Sequence, residues 1–400
     1  MKLESLRPTF RRAGDWLAFS DVTGTGLTVE DEMTSCFRTL EDLLERTGGV
    51  SLLSIAHLTL YLAPAAMALF PRINTAYARF FGAQPPTRAC VSVHTASLPD
   101  SCRLKLEGYA CLAPREERRA LHVQSVSYWA PANIGPYSQT ITHGGRAFMA
   151  GQIPLVPASL SLVSPPSFER DVALSLQHVR RVRTAAAREA RWRAMGTCEG
   201  VVCWIAEHDD WDARWRKACH GWAASSGLVR LFRSFRVHIL LQIFTLSLQS
   251  SAPAVFVSAA VLPRQASIEW QATFDTGEGD DDGDDNDSAG EDTEADAARV
   301  VSGGLQSGEW QAYESRRGRC GYASCRLGGT LGSVEACRLG EIFSSRVFYR
   351  PHVAPSDAFA ASREILGGAE GATSTIACER LATRSSADWD VIVVWIGSVR

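Results

Sequence analysis

The sequence predicts an α/β (α+β) protein of tandem copies of one unit, each a sheet covered by helices on one face. Three observations carry this. An order of strand, helix, strand, helix, strand, strand fills the first hundred or so residues, as in a sheet with helices on one side. The same order begins again past residue 125, the signature of a repeat. Finally, 400 residues at 46% hydrophobic content are too many for one compact core and enough for two or three domains.

The elements follow from local chemistry. Residues 16–20 read as a short strand ending in the turn at Gly24 and Gly26. Thr28 and Asp31 can form a capping box for a helix over residues 29–44, whose Met33, Phe37, Leu40 and Leu44 recur at helical spacing and face the sheet. An apolar strand is expected at 55–62 and a second helix at 65–81, with Phe70, Ile73, Tyr77, Phe80 and Phe81 on one side. Two strands at 89–93 and 102–110, joined through Leu98-Pro99-Asp100, complete a first domain over residues 1–113. The charged stretch 114–124 reads as a linker.

The second copy spans residues 125–274. The turn Gly144-Gly145 leads into a strand at 146–150, followed by a helix at 168–190, a strand at 200–206 and a Trp-rich helix at 211–222. Strands within 254–271 close it, after an insertion at 229–251. Residues 275–298 form an acidic insertion, expected to be solvated and disordered, because such a run self-repels and buries no apolar surface. Residues 299–400 carry a strand, helix, strand, strand rhythm at 347–349, 357–366, 374–378 and 391–396, read as a degenerate extension packed on the second copy.

Charge and composition exclude several classes. The net charge of -3 hides twelve acidic side chains between Asp275 and Asp296; outside that run, 41 Lys and Arg face 32 Asp and Glu. Lysine occurs only at Lys2, Lys105 and Lys217, and this arginine bias supports no inference of nucleic-acid binding. No stretch of about eighteen apolar residues occurs; the best, residues 237–248, is broken by Gln242, so no membrane span is expected. The N-terminus lacks a basic segment leading into an apolar one, so the expected compartment is the cytosol. Eleven scattered cysteines fit reduced thiols. Cys320, Cys325 and Cys337 lack a fourth ligand for zinc, and Gly303-Gly304 and Gly328-Gly329 lack the lysine of a phosphate loop, so neither metal nor cofactor is expected.

The most specific string is Trp129-Ala130-Pro131-Ala132-Asn133-Ile134-Gly135-Pro136-Tyr137-Ser138-Gln139, followed by Gly151-Gln152-Ile153-Pro154-Leu155-Val156-Pro157. Gly135-Pro136 makes a constrained turn from which Tyr137 leaves. Together with Ile73-Asn74-Thr75-Ala76-Tyr77, Pro85-Pro86-Thr87-Arg88-Ala89-Cys90-Val91 and residues 261–271, it resembles the RidA (YjgF, L-PSP) family, in the form found in the C-terminal region of fungal-type diphthine-ammonia ligases.

The resemblance implies a trimer-like assembly with sites in clefts between neighbouring units, which hydrolyse 2-imino or enamine acids to 2-oxo acids and ammonia. Arg88 matches the carboxylate-binding arginine, Tyr137 the pocket tyrosine, Glu269 the water-associated glutamate, Ser20 the small hydroxyl residue and Asn74 the helix asparagine; Gly151 opens the second motif. Neither copy has the full set. The glutamate position of the first falls on Lys105, and the arginine and serine positions of the second fall on Ala254 and Ala150. Either Arg88 and Tyr137 meet between copies in one composite pocket, or both copies serve as a binding module. The ligase resemblance implies an accessory role in diphthamide formation on elongation factor 2, with a separate ATP-pyrophosphatase domain as partner, since no Ser-Gly-Gly-Lys-Asp-Ser loop occurs in this sequence. A ribonuclease role attaches only to the family's older name.

Overall fold

Strand order is the same in three successive sheets. The computed structural model describes residues 7–192, 196–231, 252–277, 299–315, 318–328, 341–368, 371–387 and 389–398. In the first repeat, β1 (Thr9–Ala13) and β2 (Trp16–Thr23) precede α1 (Val29–Gly48), β3 (Ile55–Leu62), α2 (Phe70–Ala78), β4 (Thr87–Ser92) and β5 (Leu104–Cys111). The strands lie in the order β1-β2-β5-β3-β4, with β3 and β4 parallel and the other neighbours antiparallel. A parallel pair needs a crossover, and α2 supplies it.

Thr28 caps α1 as its sequence predicts, with Asp31 returning the bond. The helix passes Leu44 because Glu45–Thr47 contain nothing that stops it; Gly49, in the left-handed region at φ 63°, does. The helix expected from residue 65 is instead a 3-10 turn, Pro64–Leu69, followed by α2. Pro71 has no N–H to donate and is tolerated only in a first turn, so the α-helix restarts beside it.

The expected linker is partly structured: β6 (Arg119–Leu121) pairs with β7 (Thr140–His143) as an edge strand of the second sheet. Then come β8 (Arg146–Met149), a small hairpin of β9 (Leu155–Val156) and β10 (Ser161–Leu162), α3 (Phe168–Glu189), β11 (Thr197–Ala206), α4 (Trp211–Leu231), β12 (Ala254–Ala259) and β13 (Ile268–Asp275). The sheet runs β12-β11-β13-β8-β7, the order of the first, with β11 and β12 parallel. The insertion over 232–251 and most of the acidic run lie outside the described residues.

Residues 299–400, expected as a degenerate extension, form a sheet of their own. It contains β14 (Arg299–Leu305), β15 (Gly308–Ser315), β16 (Gly318–Cys325), β17 (Glu341–Tyr349), β18 (Ala372–Ala377) and β20 (Val391–Ser398), with α5 (Pro355–Ile365) joining the parallel pair β17 and β18. Its order, β14-β15-β16-β20-β17-β18, repeats the pattern again with one added edge strand. The short β19 (Leu381–Ala382) leaves this sheet to pair with β12.

Helices pack on one face of the first two sheets, as the core that Phe37 and Leu40 of α1 share with Leu17, Leu58 and Leu106 of the strands and the stacking of Trp222 on Trp270 show. The other faces turn toward one another around a shared core. Tyr61, Trp204 and Phe348, at the same register position of β3, β11 and β17, meet there, with ring centroids 6.2 Å and 5.6 Å apart along the chain of contacts. Each outer strand is then covered by the loop of another repeat. Ala260 N–H donates to Ser92 of β4 at 3.0 Å, Ser258 of β12 donates to Arg380 at 3.0 Å, and Ala377 of β18 donates to Ser97 Oγ at 2.8 Å. The three repeats therefore close into a ring that leaves no bare edge at these strands.

Candidate functional site

At the seam between the first and second repeats, β4 holds Arg88 against the arm that carries Tyr137. Ser138 fixes the arm by donating to the Pro85 carbonyl and bonding His122 at 3.0 Å, and its backbone N–H reaches Pro86. On the other side, Gly151 N–H donates to the Arg88 carbonyl at 3.1 Å. The guanidinium lies over the rings of Tyr77 at 4.7 Å, Phe70 at 5.5 Å and Tyr137 at 5.6 Å, and Nη2 donates to Asn74 Oδ1 at 2.7 Å. A Cβ at Gly135 would sit 2.7 Å from Nη2, so a side chain there would have to displace the guanidinium.

Glu269 enters from β13. It is 2% exposed, and burial pushes its carboxyl up to about 8, although the nearby Arg88 charge and a bond from the Cys90 backbone pull the other way. A Cβ at Gly151 would land on Glu269 Oε1, so the glycine makes room for the carboxyl. Two buried polar atoms here have no hydrogen-bond partner in the protein, Arg88 Nη1 and Glu269 Oε2. Burial also raises the Tyr137 phenol above its ordinary range, so it stays protonated.

Five of the residues picked out by sequence, Arg88, Asn74, Tyr137, Gly151 and Glu269, thus gather at one seam, drawn from two repeats. Ser20 does not: it lies on β2, 2.6 Å from the Thr9 hydroxyl, and its counterpart at this seam is Ala150. The reason is the ring, in which the β2 of each repeat serves a different seam from its β4.

No family model matches this chain. It is 31% identical over 269 residues to the diphthine-ammonia ligase of Schizosaccharomyces pombe, covering 66% of this chain and 38% of that protein. The ligase of Saccharomyces cerevisiae is 32% identical over 186 residues, 42% of this chain and 26% of its own length. This chain is a sequence relative of the diphthine-ammonia ligases. It spans well under half the length of these curated relatives. Among solved structures, a Rid-family protein of Yersinia pestis covers 40% of this chain and 98% of its own, at 18% identity and a TM-score of 0.27. A chorismatase covers 66% and 76% at 11% identity and a TM-score of 0.43.

Of the residues around Arg88, Tyr77 and Phe70 escaped sequence reasoning, because their helical spacing reads as core. Tyr77 stands three residues after Asn74, which places both on one face of α2 and was the available signal. The other two seams lack this chemistry. Between the second and third repeats the register puts Ala254 at the arginine position and Ile392 at the glutamate position, and β19 is paired across it. Among the described residues no group of three or more His, Cys, Asp or Glu is placed to hold a metal; Cys337 of the cysteine cluster lies outside them. No helix among them is long and apolar enough to cross a membrane.

Proposed function

We propose that the seam between the first and second repeats binds a small 2-imino acid and hydrolyses it to the 2-oxo acid and ammonia. The observation that supports this reading best is the pair of unpartnered buried atoms, Arg88 Nη1 and Glu269 Oε2, at one seam. A buried guanidinium and a buried carboxyl are both costly without partners. A ligand with a carboxylate at one end and an electrophilic carbon at the other satisfies both. Arg88, held by Asn74 and walled by aromatic rings, takes the carboxylate. Glu269 as carboxylate accepts a proton from water as its oxygen attacks the imine carbon, then returns the proton to nitrogen. The hydroxyl proton of the resulting carbinolamine then passes to nitrogen, by way of Glu269, as the carbonyl forms and the carbon-nitrogen bond breaks, and ammonia leaves. A carboxyl held at about 8 supplies both forms near neutral pH.

With freshly generated 2-aminoacrylate, purified protein should speed ammonia release, and Arg88→Ala should lose at least about a hundredfold in kcat/KM, the scale of one positioning group. A flat trace with several imino acids would sink the proposal.

The ligase relatives favour a second, compatible reading, an accessory role in diphthamide formation on elongation factor 2 beside an ATP-pyrophosphatase domain. Cells lacking this gene should then accumulate diphthine on the modified histidine peptide, read by its mass. Normal diphthamide there would remove the second reading and leave the first intact.

A further inference from the structure

The chain links the first repeat to the second and the second to the third, but no peptide bond joins the third to the first. That seam is where the molecule buries its least expected charges. Lys105 is fully buried, and in the first repeat it holds the register position that Glu269 holds in the second: β5 sets it opposite Tyr61 as β13 sets Glu269 opposite Trp204. Beside it, Asp21 takes the place of Gly151, in the left-handed region at φ 54°. The ammonium donates to Asp21 Oδ1 at 2.9 Å and, across the seam, to the Thr375 carbonyl of β18 at 2.7 Å. The arginine position of this seam is Thr373, so no guanidinium stands at that register position. A second buried pair joins the same two repeats, Arg346 of β17 with Glu107 of β5; Arg346 also donates to Thr59 at 3.2 Å and to Gln271 of the second repeat at 3.3 Å. Tyr109 OH bonds Ser344 at 3.0 Å alongside.

We infer that this seam is a ligand site converted into a latch. Lys105 occupies from within the space that the other polar seam leaves for a ligand, Asp21 neutralises it, and the bond to Thr375 ties the third repeat to the first. The two ionic links hold shut the one seam that the backbone does not hold. A buried pair adds little net stability over an apolar one but is costly to break from one side, so it suits a contact that must be made in a single geometry.

The inference needs no ligand and stands apart from the imine reading, so its test uses none. Lys105→Met, Asp21→Asn and the double variant would be compared by thermal melting and by hydrogen exchange resolved to peptides. Each single variant should melt lower, and the double variant should melt above both, since it leaves no lone buried charge. In Lys105→Met, exchange should rise at least about tenfold in β18 and the 95–97 turn, with β11 and β13 unchanged. If Lys105→Met does not stay folded, the double variant carries the same exchange test. Additive losses in the cycle, or exchange that rises evenly through the molecule, would overturn the latch.

Discussion

At the scale of single residues, burial decides the chemistry of Glu269. A carboxyl ordinarily near 4.5 is held at about 8, so between those values the folded chain keeps a proton that the unfolded chain has released. The slope of stability against pH is then negative in that window. The contribution of Glu269 is fully present below about 4.5, declines as pH rises and is gone above about 8. Glu269→Gln, which cannot titrate, should flatten this part of a denaturant-derived stability curve measured from pH 4 to 9. An unchanged slope would show that Glu269 is not the titrating group. Arg88 and Glu269 could be named from their motifs, because a bidentate-capable cation and a carboxyl are what the chemistry requires. That Arg88 Nη1 and Glu269 Oε2 have no hydrogen-bond partner in the protein could not, since it depends on what the neighbouring repeat brings.

At the scale of elements, local signals were reliable where local physics decides. The Thr28 and Asp31 box starts α1 as read, and Thr28→Ala should cost roughly 1 kcal/mol in a thermal or denaturant melt, the usual loss for a removed cap. A change near zero would mean that packing of Phe37 and Leu40 alone sets the helix start. Signals failed where partners decide. Residues 119–121 look like linker because they are charged and polar, yet they become β6 once β7 offers an unpaired edge. Phe70 and Tyr77 look like core because their spacing is helical, yet both lie against the Arg88 guanidinium. Sequence spacing shows which face a side chain is on; it does not show what that face meets.

At the scale of the whole molecule, three repeats with one strand order close on each other and offer three seams of unlike chemistry. The first holds Arg88 and Glu269, the second carries Ala254 and Ile392 at those positions and is strand-paired, and the third is filled by Lys105 and Asp21. Calorimetric titration with 2-oxobutyrate, a stable product analogue, should therefore give one site per chain, abolished in Arg88→Ala. Two or three sites would contradict the closed state of the other seams.

Residue types, element order and the motif strings are properties of the chain itself, so the α/β repeat, the capped first helix and most of the site residues were legible before any fold was known. The glutamate missing from the first copy and the arginine missing from the second left two readings open, a composite pocket or a binding module, because a sequence is read one copy at a time. Only the tertiary structure decided that the site is shared, that Ser20 belongs to another seam, and that residues 299–400 complete the ring. Those are contacts between segments far apart in the chain, set by which sheet edges and apolar faces can be buried together, and no local pattern encodes that choice.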